Sequence, residues 1–118
     1  MDAVVAPWAE LESDHPIPLL HRKRLRGERM LVAHVNLDKG CHVATHSHES
    51  EQMACIVSGK VRWRLGEPGS PEYREVDVEG GSVVCLPSWF PHGVDALEDT
   101  FILDILSPPG EMGVDRQT

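Results

Sequence analysis

Three histidines are the residues of this chain whose types and spacing could do chemistry. Two lie in residues 45–52, with the sequence THSHESEQ, and the third lies far along the chain in residues 91–93, with the sequence PHG. Successive side chains of a β-strand point to opposite faces, so His46 and His48 project to the same side of an extended stretch. One strand can therefore supply two metal ligands, and the rest of the chain must bring His92 to them.

The composition predicts a single domain built from short strands. A chain of 118 residues is long enough for one compact domain, and at 41% hydrophobic residues it can bury a core. Ten glycines and nine prolines interrupt every pattern that could support a long helix. This order of short strands and turns favours an all-β, closed or two-sheet antiparallel barrel.

The net charge and the search for targeting signals limit the classes of binding partner and the location that we expect. The formal net charge of −8 argues against nucleic acid and against an anionic membrane surface, so we expect a small molecule or another protein as the partner. No segment approaches the roughly 20 apolar residues of a membrane span, and no leader pattern opens the chain, so we expect a cytoplasmic protein. Three cysteines without CxxC spacing, at positions 41, 55 and 85, indicate small core side chains and not a disulfide framework.

We expect three parts along the chain. Residues 1–18 form an irregular, proline-broken arm in which Trp8 contacts either its own domain or a second subunit. Residues 19–107 form the barrel, and residues 108–118 form a loose polar tail. At the start of the barrel, residues 19–26 (LLHRKRLR) resemble a basic localisation or nucleic-acid patch, but an exposed strand with solvated Lys and Arg side chains suits an acidic chain better.

Alternation predicts the strands near the histidines. Residues 31–37 place Leu, Ala, Val and Leu on one face, and residues 60–65 alternate strictly. In the strand over residues 41–47 the even positions share a face, so His42 is a weaker candidate ligand beside His46. Residues 52–59 are apolar without alternation, which is typical of a strand buried on both faces.

Asp104 stands out in the last predicted strand because it shares a face with Ile102 and Leu106. Burial among apolar residues raises the pKa of a carboxyl group and suits it to proton transfer. The competing interpretation is an Asp that caps a loop or pairs with an arginine on an outer face.

The histidine spacing resembles that of the cupin family. Its first motif is matched by Gly40, His46, His48, Gln52 and Gly59, and its second motif by Gly81, Pro87 and His92. Trp89 stands where the second motif has a glycine, and Ala96 where an Asn is common. The resemblance implies a single-domain antiparallel double-stranded β-helix, or jelly-roll barrel, that holds a divalent transition metal ion.

The ligands that the resemblance implies are His46, His48, Gln52 and His92. Glu51 is a competing ligand, but strand alternation places it on the face opposite Gln52. A neutral Gln leaves the ion with nearly its full charge, so the site should act as a Lewis acid that favours anions. The ion could be Mn, Fe, Ni, Co or Zn, because His and Gln accept all of them.

Among cupins, the chain is most similar to the small enzymes that convert unsaturated uronates from pectin and alginate into linear keto forms. That resemblance implies Asp104 as the acid/base residue and often a homodimer that exchanges N-terminal arms. It fails at two positions: Leu106 replaces an aromatic residue, and Gly110 replaces an arginine that would hold the substrate carboxylate. Two alternatives stay open, namely an oxygen-dependent, quercetinase-like dioxygenase with Trp63, Trp89 and Phe90 around its pocket, and a non-catalytic cupin that senses a ligand or metal.

Overall fold

A computed structural model describes residues 2–117 of the protein. These residues form nine strands and two short 3-10 helices, Trp8–Glu10 and Gly113–Arg116. The strands are β1 (Leu20–Arg26), β2 (Leu31–Leu37), β3 (His42–His46), β4 (Glu51–Ser58), β5 (Lys60–Leu65), β6 (Arg74–Glu79), β7 (Ser82–Leu86), β8 (His92–Ala96) and β9 (Thr100–Ser107). No helix of the described residues is both long enough and apolar enough to cross a membrane.

The strands pack as two antiparallel sheets with the core between them. One sheet has the order β1-β2-β9-β4-β7 and the other has the order β3-β8-β5-β6. Strands that neighbour each other in a sheet are often distant in sequence, as expected for a jelly roll. The all-β jelly-roll prediction is therefore confirmed.

Alternation in β2 and β5 determines which residues enter that core. The inward side chains of β2 are between 0% and 4% exposed, and those of β5, which are Val61, Trp63 and Leu65, are between 0% and 7% exposed. Both predictions are confirmed. Each strand covers one side of the core with alternate residues, because the facing sheet supplies the other side.

The prediction that β4 is buried on both faces is wrong. Gln52, Ala54 and Ile56 point inward, whereas Met53 and Val57 on the outer face are 38% and 48% exposed. Among residues 2–117, no second layer covers β4 and β7 on the outer face of this sheet. Because the outward side chains of β4 are also apolar, the sequence did not show the alternation of inward and outward residues that the structure has.

The predicted solvation of the basic strand fails at one position. Arg22 in β1 is only 1% exposed, and its guanidinium donates to Asp14 of the arm and Asp115 of the tail. The two carboxylates offset the free-energy cost of burying the Arg22 charge. Without an ionic partner, burial of the guanidinium would be strongly unfavourable. The two carboxylates also hold both ends of the chain against β1.

The arm and the tail are both attached to the barrel. The Trp8 ring lies 5.1 Å from the ring of His34 on β2, so within this chain the arm packs on its own domain. Met112 and Val114 of the tail are 7% and 5% exposed. The expectation of a loose tail is therefore wrong, because these two apolar side chains close one end of the barrel.

A substitution at Gly59, in the turn between β4 and β5, tests how closely the backbone segments of the barrel pack. Its φ is +93°, and a Cβ at this position would meet the Asp99 carbonyl and the Thr100 Cα. We expect Gly59→Ala to lower the free energy of unfolding by about 3 kcal/mol, because left-handed strain and backbone overlap add. Chemical denaturation measures this change.

Gly69→Ala is the matched control for this substitution. Gly69 has a φ of +85°, but a Cβ there would meet nothing within 4 Å. We expect this change to cost only about 1 kcal/mol, from backbone strain alone. Equal costs for the two variants would show that the close approach at Gly59 does not constrain the barrel.

Candidate metal centre

Two neighbouring strands of the four-stranded sheet bring the three histidines together. His46 ends β3 and His92 begins β8, and the two residues are cross-strand partners. His48 follows in the loop that leads to β4. One ring nitrogen of each histidine lies within 4.8 Å of those of the other two. Residues far apart in sequence therefore meet at one point inside the barrel.

A bulge in β3 determines which histidines face inward. The register between β3 and β8 shifts between Val43 and His46, so one extra residue separates two inward positions. His42 consequently points outward, where its Nδ1 lies 2.5 Å from the Asp95 carboxylate. The expectation that His42 shares a face with His46 is wrong, because simple alternation cannot include the bulge.

Backbone carbonyls fix the protonation of all three imidazoles. A carbonyl oxygen only accepts, so an Nδ1 within hydrogen-bond distance of one must carry the proton. Each ring then turns an unprotonated Nε2 toward the centre of the site, which is the orientation of a metal ligand. The Nδ1 to oxygen distances are 2.8 Å for His46 to Ala44, 2.9 Å for His48 to Ser50 and 2.8 Å for His92 to Phe90.

Two features of the Nε2 atoms match a bound cation. The Nε2 of His92 is buried without a hydrogen-bond partner among the described residues. The Nε2 of His48 lies 3.1 Å from the Gln52 Oε1. In a neutral His48 ring protonated at Nδ1, both of these atoms are acceptors, and a cation bound between them would remove their repulsion. Ligands at right angles around an ion with bonds of about 2.1 Å stand about 3.0 Å apart, so the spacing fits a divalent metal.

Gln52 joins the histidines to Asp104. Its side chain is 6% exposed and faces the barrel interior, while the neighbouring Glu51 is exposed on the outer face. The Gln52 Nε2 donates to the Asp104 Oδ1 at 2.9 Å. With Asp104 ionised, its oxygen accepts this bond, so the amide nitrogen faces Asp104 and the amide oxygen faces the histidines.

Burial sets the charge state of the site. It lowers the pKa of His46 and lowers that of His92 to about 4, which keeps both rings neutral and able to bind a metal. It raises the pKa of Asp104 to about 7, against the opposing effect of the hydrogen bond from Gln52. A carboxyl group that can exchange its proton near neutral pH is thus separated from the histidines only by the side-chain amide of Gln52.

His46 and His92 border a partly open cavity of about 40 Å³. A water molecule needs about 15 Å³ by this measure, so the cavity has room for roughly three. Trp63 lines it, whereas Trp89 is 61% exposed and lines a separate groove of about 200 Å³ outside. The remaining cavity residues that the sequence singled out are His46, Gln52, His92 and Asp104.

The sequence reasoning missed the contribution of the tail to this site. Met112, Gly113 and Val114 form part of the cavity wall, and Arg116 borders the outer groove beside His48. The guanidinium of Arg116 donates to the Ser47 carbonyl at 2.7 Å. In the sequence, the apolar residues Met112 and Val114 in an otherwise polar tail were the only sign that the tail packs against the barrel.

The fold and the three-histidine site together define a class of small jelly-roll proteins. The profile of the Cupin domain matches residues 33–107, which is more than half of the chain. The chain therefore belongs to the cupin family. A comparison with curated proteins found no significant match.

Solved structures agree with this assignment. An RmlC-like cupin from Shewanella frigidimarina is 18% identical with a TM-score of 0.81, covering 93% of this chain and 95% of that one. KdgF from Halomonas sp. is 24% identical with a TM-score of 0.79, covering 93% and 97%. A structure of Bacillus subtilis oxalate decarboxylase, described for its Mn(II) centres, is 16% identical with a TM-score of 0.78, covering 94% of this chain and 32% of that one. At these identities the likeness shows the fold alone.

Substitution of His92 tests the convergence of the imidazoles. We expect His92→Ala to weaken the binding of divalent ions by at least about 100-fold, more than the loss of a residue that merely orients a ligand. Isothermal titration of the metal-free protein with MnCl₂ measures the affinity, and circular dichroism verifies folding.

His42→Ala is the control for this experiment. His42 belongs to the strand of His46 but points outward, so we expect its substitution to leave the affinity unchanged. Equal losses in the two variants would contradict the assignment of the site to the inward histidines.

Proposed function

We propose that the protein is a metal-dependent cupin enzyme that opens or tautomerises a small anionic sugar acid, with unsaturated uronates as the closest analogy. The observation that carries this proposal is the chain from the Nε2 of His48 through the Gln52 amide to Asp104, with separations of 3.1 and 2.9 Å. It joins a candidate metal centre to a buried carboxyl group, and proton transfer beside a Lewis acid requires this combination.

The residues that would hold the ion are His46, His48, His92 and Gln52. When bound, a divalent ion would polarise substrate oxygens and stabilise the negative charge that develops on them. All four donors are neutral, so they leave the ion nearly its full charge of +2. This charge supports an anionic substrate.

Asp104 is the proposed proton-transfer residue. Ring opening of an unsaturated uronate moves the anomeric hydroxyl proton away as the bond from C1 to the ring oxygen breaks. The product enol then becomes a ketone when a proton reaches C4, so the reaction needs proton transfer and no oxidant. Asp104 lines the same cavity as His46 and His92. The amide of Gln52 orients its carboxyl group, and the apolar walls limit the access of water.

Arg116 supports the preference for anions. Gly110 stands where the resembling enzymes have a carboxylate-binding arginine, and the groove of about 200 Å³ beside His48 is bordered by both Gly110 and Arg116. The Arg116 guanidinium lies near enough to contribute to the lowered pKa of His46. Arg116 is the basic residue of this groove, which Glu49 and Glu111 also line. Its Nε lies 3.6 Å from Glu111, so an anionic substrate would have to compete with that carboxylate for the guanidinium.

Asp104→Asn tests the proton-transfer role. We expect turnover of an unsaturated uronate to fall by at least about 100-fold, because Asn cannot exchange a proton. The metal content should stay unchanged, because the Asn oxygen can still accept the hydrogen bond from Gln52. A spectrophotometric assay that follows loss of the conjugated double bond measures turnover.

Asp77→Asn is the control, because Asp77 lies on the outer face and pairs with Arg62. It should leave turnover unchanged. An Asp104→Asn variant as active as the parent would defeat the catalytic role, and saturable binding without product in the parent would favour a sensing cupin.

The dioxygenase is the second candidate because Trp63 and several aliphatic side chains line the cavity. An apolar lining of this kind would also suit an aromatic substrate and O₂. Anaerobic assays separate the two reactions. The proposed isomerisation continues without oxygen, whereas turnover of a flavonol that stops under nitrogen would favour the dioxygenase.

We also propose that the protein forms a homodimer through the outer face of the five-stranded sheet. This face presents the uncharged side chains of Met53, Val57, Val83, Cys85, Leu103 and Ile105 around β4, β7 and β9. Two copies that each carry a net charge of −8 repel each other, so an uncharged apolar face is the favourable place to meet.

Val83→Glu tests this interface, because Val83 is 63% exposed on that face. We expect sedimentation to show dissociation to monomers, since the new charges oppose each other across the contact. Val5→Glu is the control, because Val5 is 94% exposed in the arm. A Val83→Glu variant that stays dimeric, or a parent that is monomeric, would contradict the interface.

A further inference from the structure

The C-terminal segment, residues 111–117, closes the end of the barrel over His46 and His92. Met112 and Val114 are buried in the cavity wall. Gly113 lies so close to the imidazole of His46 that a Cβ at position 113 would overlap the ring. The segment therefore covers the ring face of a candidate metal ligand.

Side chains, and not a strand ladder, hold the C-terminal segment in place. The Gln117 Oε1 accepts from the Ala44 amide at 2.8 Å, and the Gln117 Nε2 donates to the Ala44 carbonyl at 3.0 Å. On the other side, the buried Arg22 donates to the Asp115 Oδ1 at 2.7 Å. Within residues 2–117, the backbone hydrogen bonds of the segment join only its own residues, such as Asp115 to Met112. It can thus lift without breaking either sheet.

The cavity that the C-terminal segment covers is too small for a sugar acid. Its volume of about 40 Å³ suits a few waters or an anion as small as formate. A six-carbon sugar acid cannot enter while Met112, Gly113 and Val114 stay in place. Outside the segment lies the groove of about 200 Å³ that His48 and Arg116 border. Ligands of the proposed class can reach this groove first.

We propose that the C-terminal segment is a lid that opens to admit ligands to the three-histidine site, and that the Arg22–Asp115 pair is its latch. The opening is inferred from the side-chain contacts that hold the segment. The role in admitting sugar acids rests on the proposed function. Residues 112–114 and the latch then determine which ligand sizes the site accepts.

Arg22 also supplies a matched control for the latch. Its Nε and Nη2 donate to Asp14 at 3.0 and 2.8 Å, and the second proton of Nη2 is the one donated to Asp115. Asp14, however, belongs to the N-terminal arm and makes no hydrogen bond to the lid among residues 2–117. Asp115→Asn therefore weakens the latch, whereas Asp14→Asn removes a comparable ion pair from the same arginine. A general loss of stability affects both variants, but opening of the lid should respond only to the first.

Hydrogen exchange at the Ala44 amide reports lid opening without substrate or metal. Ala44 lies within the bulge of β3, and its amide donates to the Gln117 side chain, so the amide is protected only while the lid is closed. The Ala54 amide lies in β4, an interior strand that pairs with both β9 and β7, and reports opening of the whole barrel. Neither amide is a direct partner of residue 115 or residue 14.

We expect the Ala44 amide to exchange faster than the Ala54 amide in the parent protein, measured by NMR on metal-free samples. Asp115→Asn should raise exchange at Ala44 by about tenfold relative to Ala54, and Asp14→Asn should leave this ratio unchanged. Exchange of Ala44 as slow as that of Ala54 in all three proteins would show that the segment is a fixed wall. An equal effect of the two substitutions would overturn the latch.

Turnover of an unsaturated uronate by the Mn(II)-loaded protein is measured separately, with the spectrophotometric assay. If the Ala44 amide behaves as expected but the sugar acid is not turned over, the proposed function fails and the lid stands. If the sugar acid is turned over by a protein whose Ala44 amide shows no local opening, the lid fails and the proposed function stands.

Discussion

The hydrogen bond from the Gln52 amide to Asp104 is the interaction on which the site depends. When Asp104 is ionised, its carboxylate can only accept, so this bond turns the amide oxygen toward the histidines and leaves residue 52 as a neutral oxygen ligand. A Glu at the same position would place two carboxyl groups in contact, and one of them would have to hold a proton. Asp104 and Gln52 are thus matched to each other, and the proposed Lewis acidity follows from the neutral member of the pair.

The two sheets supply the halves of this arrangement. Gln52 pairs with Leu106 and Asp104 pairs with Ala54, so Gln52 and Asp104 are diagonal neighbours on the inner face of the five-stranded sheet. His46 and His92 are cross-strand partners in the facing sheet. The site therefore spans the core of the barrel, and the packing of the sheets fixes the separation of its two halves. Burial between them raises the pKa of Asp104 and lowers that of His92.

The sequence was informative where spacing and alternation determine the structure. The glycine and histidine spacing predicted the family, the jelly roll and the inward position of His46, and alternation predicted the core faces of β2 and β5. Prediction from the sequence failed where a contact joins residues that are distant in the chain, or where a bulge interrupts a strand. The bulge that turns His42 outward adds one residue that no pattern marks. The burial of Arg22 depends on Asp14 and Asp115, which lie at opposite ends of the chain. The closure by Met112 and Val114 depends on where the tail crosses the barrel.

The central claim is that His46, His48, His92 and the oxygen of Gln52 form one divalent metal site. X-ray absorption spectroscopy of the purified protein, after loading with one equivalent of Mn(II), tests it most directly. The structure predicts one tightly held ion per chain, with three imidazole nitrogens and oxygen donors around it. A folded protein that binds no added divalent ion, or an ion without imidazole ligands, would contradict the claim.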